Sequence, residues 1–222
     1  MKPEKSKHTF YTVITGDVVR SSQLDKPLRL TLRHVYSAVR EYAGESLCLP
    51  FRTFRGDGFQ GVTSDPSTAL HTAIVCKAAL KINGDEKLDY PLEARIGIGI
   101  GTVSYLPISS SAEAFGEAFT FSGKALDSLK GPRKLHITTP WKDVNEELSG
   151  ICALIDAVIS RWTPEQCRAI FARMKGKLQK DIAQEFNVSQ PAVSDRLNSA
   201  AFWALEPCLE RFESLINRII SK

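Results

Sequence analysis

Two aspartates stand where carboxylates can do chemistry. Asp17 closes the run Thr9-Phe10-Tyr11-Thr12-Val13-Ile14-Thr15-Gly16-Asp17, which begins at His8, and Asp57 sits inside Phe54-Arg55-Gly56-Asp57-Gly58-Phe59. Both follow a glycine, and both fall where a strand-like run stops and backbone atoms become free. Two such carboxylates brought together would suit a hard cation, Mg²⁺ or Mn²⁺, which keeps several waters and also takes phosphate oxygens. Taken singly, each reads as turn chemistry, because Gly-Asp-Gly suits a hairpin and Gly-Asp suits a helix entry. The pair gains meaning only if the fold joins two segments that are far apart in sequence.

The surrounding elements decide that. The run from His8 to Asp17 is rich in aromatic and β-branched residues, so it reads as a strand. Gly56-Asp57-Gly58 between two further runs of this kind predicts a hairpin over 47–64. Leu28, Leu32, Val35, Val39 and Tyr42 recur at helical spacing and predict a helix over 27–43. Asp65-Pro66-Ser67 opens a second helix, with Leu70, Ala73, Ile74 and Ala78 on one face, which ends at Asn83-Gly84-Asp85. In Ala94–Gly101, isoleucines 96, 98 and 100 line one face of a strand and glycines 97, 99 and 101 the other. Such a bare face admits either a closely packed helix or a ligand. It is not a dinucleotide fingerprint, since the spacing differs and no helix begins at the third glycine. A Ser-rich loop at 107–112, a third helix over 113–130 and a strand at Leu135–Thr138 complete the unit. The order β, α, β-β, α, β, α, β predicts an α+β unit over 1–140, with a ferredoxin-like mixed sheet and helices on one face. In that arrangement the first strand lies beside the hairpin, which brings Asp17 near Asp57.

The bulk properties agree with an ordinary globular chain. It has 222 residues, and its apolar and charged fractions are typical. The net charge of +4 permits nucleic-acid or nucleotide partners without requiring them. Five scattered cysteines without a Cys-x-x-Cys spacing read as core residues of a reducing compartment. A charged start, with no apolar signal region and no membrane-length apolar run, makes a cytoplasmic location the expectation.

Ile14-Thr15-Gly16-Asp17-Val18-Val19-Arg20-Ser21-Ser22, Arg55-Gly56-Asp57-Gly58-Phe59-Gln60-Gly61, Arg95–Gly101, and Gly116-Glu117-Ala118-Phe119 through Ala125-Leu126 resemble the SatD family of bacterial proteins. More distantly they are similar to class III nucleotide cyclases and the palm domains of diguanylate cyclases and CRISPR polymerases. The match covers roughly residues 8–140. The cyclase resemblance implies that Asp17 and Asp57 bind two metal ions, helped by the Val18 carbonyl, and that the metals act on a triphosphate. Arg20, Ser21, Arg55 and Lys124 are then the candidate nucleotide contacts. The cyclase helix after the glycine strand carries an Asn and an Arg that stabilise the transition state. Here those positions are Phe121 and Ala125, with Lys124 one residue away. Neither an aromatic ring nor a methyl group can supply that charge stabilisation.

The remaining chain predicts helices. Residues 141–160 read as a linking helix, and 161–222 as an all-α unit. Thr163-Pro164 opens a helix with Cys167, Ile170, Phe171 and Met174 apolar. A second follows over 178–186, and Asn187-Val188-Ser189 turns into a third, capped by Ser189 with Pro191 in its first turn. This pattern resembles the helix-turn-helix of sigma-factor region 4 and LuxR-type regulators. The resemblance implies that Gln190, Ser194 and Arg196 read DNA bases, with Asn198 at the fringe and Lys175, Lys177 and Lys180 on phosphates. Asp195 on that surface counts against DNA. The tail repeats Phe202, Leu205, Leu209, Phe212, Ile216 and Ile219 at heptad spacing. That seam either folds back or forms a homodimer, and Pro207 is expected to kink it or start a fresh helix. The leading expectation is a DNA-binding transcriptional regulator whose first domain binds metal-nucleotide. The alternatives are a nucleotide cyclase or oligonucleotide synthase using two divalent metals, and a protein-docking module.

Overall fold

The computed structural model describes residues 9–23, 28–84, 91–107 and 113–221, with the backbone but not the side chains of Gln23 and Arg55. His8, Asp85 and most of the Ser-rich loop lie outside the described residues. The elements are β1 (Phe10–Val18), α1 (Leu28–Ala43), β2 (Leu47–Arg55), β3 (Gly58–Thr63), α2 (Ala69–Ile82), β4 (Ala94–Thr102), α3 (Glu117–Asp127), β5 (Leu135–Thr138) and α4 (Lys142–Ile159). Then follow α5 (Pro164–Met174), α6 (Gln179–Glu185), α7 (Gln190–Ser199) and α8 (Phe202–Ile220).

The sheet order is β2-β3-β1-β4-β5. β1 runs antiparallel to both β3 and β4, and β5 joins β4 in parallel. The first four strands thus take the expected split arrangement, with β1 beside the hairpin. In register, Ile14 opposes Ile98, and Asp17 stands between Gly58 on β3 and Arg95 on β4. Ile14, Val18, Ile96, Ile98 and Ile100 join one core with α1, α2 and α4.

The other face is not open, contrary to the expectation of helices on one face only. Glycines 97, 99 and 101 let the backbone of α3 lie directly on β4. A Cβ at Gly97 would stand 2.4 Å from Leu126 N and Ser122 O, and one at Gly99 would stand 2.1 Å from Ala118 O. Of the two uses open to the bare face, helix packing is the one observed. α3 also begins later than expected, at Glu117. Just before it, Phe115 pairs with Tyr105 in a short bridge.

The C-terminal helices are not set apart from the sheet. α2 is buried on nearly every side, including Lys77 and Lys81, because α5 and α8 cover the side away from the sheet. One continuous core runs from Ile14 to Ile216. α4, expected as a linker, packs along β5 and buries Leu148 and Cys152. In α8, Phe202, Leu205, Leu209, Phe212 and Ile216 are buried in this same core. The heptad seam therefore folds back, and it offers no free apolar stripe for a homodimer. Pro207 neither breaks α8 nor starts a new helix. It lies in the second turn and forfeits a single backbone bond, to the Trp203 carbonyl. Among the described residues, no helix is long and apolar enough to cross a membrane.

The packing of α3 on β4 gives a direct test. Gly99→Ala should lower stability by about 2–3 kcal/mol or prevent folding, because the clash is with backbone that cannot rotate away. Gly123→Ala, on α3 itself but with no atom within 4 Å of a new Cβ, should be neutral or stabilise by up to about 1 kcal/mol. Urea unfolding of both variants checks this. An unchanged midpoint for Gly99→Ala contradicts the packing.

Candidate functional site

The site grows out of core packing on β1. Gly16 lacks a side chain because the Phe59 ring fills its space, where a Cβ would stand 2.5 Å from Phe59 Cζ. Alternation then turns Thr15 and Asp17 to the glycine face. Thr15 is covered there by α3, with its hydroxyl 2.9 Å from Ser122 Oγ. The last turn of α3 reaches Gly97 and stops. Asp17, one strand pair further on, is left partly open. Asp57 is brought beside it by the hairpin. The turn is Gly56-Asp57, and the left-handed φ of 48° falls on Gly56. The anticipated Asp-Gly turn is thus displaced by one residue, and Gly58 is already a strand residue paired with Asp17.

A cleft of about 320 Å³ holds Asp17, Val18, Asp57, Arg20, Arg95 and Lys134. The two carboxylates converge as the sequence suggested, but they are not alone. Arg95 grips Asp17 with both arms, Nε to Oδ1 at 2.9 Å and Nη2 to Oδ2 at 2.6 Å. The hydrogen bonds that Arg95 donates to Asp17 raise the pKa of Arg95, against slight desolvation, and the charges of Asp17 and Asp57 add to the rise. The Ser21 hydroxyl donates to Asp57 Oδ2 at 2.7 Å, so this candidate nucleotide contact serves a carboxylate instead. Lys134 Nζ stands 2.9 Å from Glu93 Oε2. The cleft wall therefore carries two carboxylates and three cations. Among the described residues, no three His, Cys, Asp or Glu side chains gather as a protein-only metal site would need.

The other expectations divide. Arg20 lines the cleft, with a left-handed φ of 57°. Lys124 is exposed on α3 and forms no part of the cleft wall. Its helix lies on the glycine face, and the cleft opens beyond the end of that helix. Ala125 is buried, and Phe121 packs toward Gly101, so neither position presents a charged donor to the cleft. Sequence reasoning missed Arg95 and Lys134. Arg95 was within reach, since it shares the alternation of Gly97 and Gly99. Lys134 was not, because its place depends on β5 pairing with β4, where Ile96 N donates to Lys134 O at 2.9 Å.

The helical unit has the expected α6-turn-α7 course. The Ser189 hydroxyl accepts from Ala192 N at 3.3 Å, and Asn187 takes a left-handed φ of 51° in the turn. Gln190 and Lys180 are exposed, and Ser194 is half-buried. Arg196 is turned back toward Glu165 of α5 at 3.4 Å. Lys175 binds Glu41 of α1, and Lys177 binds Glu185. Three of the cations assigned to DNA thus already face carboxylates. A larger hollow, about 450 Å³, lies between α1 and α5. Its Lys175 is held by Glu41, and its Asp65 by the Ser67 hydroxyl and N–H.

No family model and no curated protein matches the sequence. Solved structures similar in part include an adenylate/guanylate cyclase/hydrolase from Silicibacter pomeroyi. It is 15% identical, with 64% of this chain and 80% of that one covered, at a TM-score of 0.44. The adenylyl cyclase CyaB from P. aeruginosa is 17% identical over 64% of this chain and 81% of its own, also at 0.44. The guanylate cyclase domain of RhGC from Catenaria anguillulae, solved with GTP, is 19% identical over 59% and 79%, again at 0.44.

The cleft geometry predicts that its carboxylates are dispensable for folding. The Asp17–Arg95 pair lies at the surface, with the arginine side chain 47% exposed, and such pairs contribute little. Asp17→Ala and Asp57→Ala should each unfold within about 1 kcal/mol of the parent chain. A loss of about 3 kcal/mol or more in guanidinium unfolding, the size seen when buried pairs are broken, would show that the pair is structural.

Proposed function

We propose that the cleft binds a nucleoside triphosphate together with a divalent metal and transfers its nucleotidyl group to a hydroxyl, forming a phosphodiester as the α–β phosphoanhydride bond breaks and pyrophosphate leaves, as in a nucleotide cyclase or an oligonucleotide synthase. The observation that supports this is the meeting of Asp17, Asp57 and the Val18 backbone with Arg20, Arg95 and Lys134 in one cleft. Two carboxylates facing three cations suit neither a bare metal ion nor a bare anion. They suit an ion that arrives on phosphate, since Mg²⁺ is commonly held by one or two carboxylates plus phosphate oxygens. Asp17, Asp57 and the Val18 carbonyl would hold Mg²⁺ or Mn²⁺. Bound there, the ion would polarise phosphoryl oxygens and lower the pKa of an attacking hydroxyl.

The protein's own groups then have defined tasks. Arg95 exchanges its hold on Asp17 for a phosphate, for which its planar fork is equally suited. Arg20 and Lys134 orient the remaining phosphate oxygens. Charge that develops at phosphorus falls to these three cations, because Phe121 and Ala125 offer none. The resemblance of these segments to nucleotide cyclases is in keeping with the metal-nucleotide part of this reading; the SatD resemblance carries no activity with it.

Incubation with each labelled nucleoside triphosphate and Mg²⁺ or Mn²⁺ tests the proposal. Product should form with one of them. It should vanish in Asp57→Ala and fall by about 100-fold in Arg95→Met, the loss typical of one electrostatic donor. Absence of product with every nucleotide, or product indifferent to Asp57→Ala, contradicts it.

A second reading, a DNA-binding regulator, draws on the α6-turn-α7 geometry and the exposed Gln190 and Lys180. If α7 enters the major groove, a gel shift on the chain's own upstream DNA should be sequence-selective. It should weaken steeply between 50 and 200 mM salt, roughly tenfold or more, and Gln190→Ala should relax the selectivity. A shift that ignores sequence, or none at all, rejects this reading.

A further inference from the structure

The outer side of α1 carries Arg33, Tyr36, Ser37 and Arg40 in one row, since residues three, four and seven apart share a helix face. Beside this row lies β2, the outermost strand of the sheet. Between them is a hollow of about 240 Å³, lined by those four residues and by Leu47, Pro50 and Phe51 of β2. Its floor is fixed. Phe51 is buried, with its ring 6.5 Å from the Tyr36 ring, and the Tyr36 hydroxyl lies 2.8 Å from Thr53 Oγ1. None of these residues lines the two-aspartate cleft.

Arg33 and Arg40 are exposed, and among the described residues neither has an ion-pair partner. Of the carboxylates on this stretch, Glu41 is taken by Lys175, and Glu45 stands beyond the end of α1. The outer edge of β2 is a poor template for a further strand. Pro50 has no N–H to give, and β2 shifts register against β3 twice around it, between Leu47 and Leu49 and between Leu49 and Arg52. A proline and bulges of this kind blunt strand addition. An occupant is therefore held by side chains: two guanidinium forks, the Ser37 hydroxyl and an apolar floor.

We propose that this groove docks an extended acidic peptide segment of a partner protein, with one carboxylate on Arg33, a second on Arg40 and an apolar side chain between them in the hollow. The spacing sets the motif. Arg33 and Arg40 are two helical turns apart, about 10 Å along the axis. Three residues of polyproline-type chain cover about 9 Å and return to the same face. Carboxylates three positions apart, with apolar residues between, therefore meet both forks, and each fork can take a carboxylate bidentately. A nucleic acid fits the groove less well, because its bases need an open aromatic face. Here Phe51 is buried, and the half-buried Tyr36 is tied to Thr53.

An array of fluorescein-labelled peptides of the form acid-x-x-acid, with every combination of proline and apolar residues at x, tests the groove by fluorescence anisotropy on the full chain. A subset should bind saturably, and the same peptides with glutamine for the acids should not. Arg33→Gln and Arg40→Gln should each weaken binding about tenfold or more, the loss of one charged hydrogen bond. Both variants should melt with the parent chain, because the two side chains are exposed. Ser37→Trp, at an exposed helix position, should fold and abolish binding by filling the hollow. Asp57→Ala should leave binding intact. No binding by any member, binding by the glutamine peptides, or binding indifferent to either arginine or to Ser37→Trp overturns the proposal. So does displacement of the peptides by a single-stranded oligonucleotide at equal concentration, which would assign the groove to nucleic acid. Sedimentation of the chain alone adds one arm. A dimer that Arg33→Gln dissociates would assign the groove to a second copy and overturn the peptide as its occupant.

Discussion

Strand β1 is held between two antiparallel partners, and its register is the constraint on which the site depends. The alternation that buries Ile14 and Val18 turns Thr15 and Asp17 the other way. A slip of one residue would drive Asp17 into the isoleucine core and leave Ile14 and Val18 outside it. Core packing therefore enforces the position of the first carboxylate without any term for the chemistry. The same register sets Gly58, and so the hairpin turn with Asp57, directly beside it. The site is placed by the hydrophobic pattern of a strand whose polar end it occupies.

Charge at this edge is organised in two layers. At the surface, Arg95 holds Asp17 in a pair that is easily exchanged, since both groups are partly hydrated. Beneath it, Lys77 and Lys81 of α2 are locked against Asp156 and Glu93. α2 faces the sheet on one side and α5 on the other, and its lysines tie the start of β4 to the end of α4. Removing either partner of the Lys77–Asp156 pair would strand a buried charge, which is why these groups belong to the fold and Arg95 to the surface. The helical unit is fastened to the sheet by this network and by the shared core.

Much of this was legible in the sequence because it follows from period and punctuation. The isoleucine and glycine alternation of β4, the hairpin around Asp57 and the Thr163 and Ser189 caps are local signals, and each appears at or within one residue of its expected place. What failed was non-local. The nearly complete burial of α2 could not be read from one apolar face, because α5 and α8 cover the other. The heptad spacing of α8 described an apolar stripe but not its partner, which proved to be this chain itself. Lys134 enters the cleft through a parallel pairing that leaves no mark in composition. Lys124 was chosen because it adjoins Ala125, the position matching the cyclase arginine, while the structure orders residues by strand position.

The central claim is that Asp17 and Asp57 share one ion brought by phosphate. Electron paramagnetic resonance of Mn²⁺, titrated into the chain with and without a nucleoside triphosphate, measures this most directly. Mn²⁺ should be immobilised on the protein only when the nucleotide is present, and both Asp17→Asn and Asp57→Asn should release it. Immobilised Mn²⁺ that survives either substitution, or none in the presence of every nucleotide, would contradict the account.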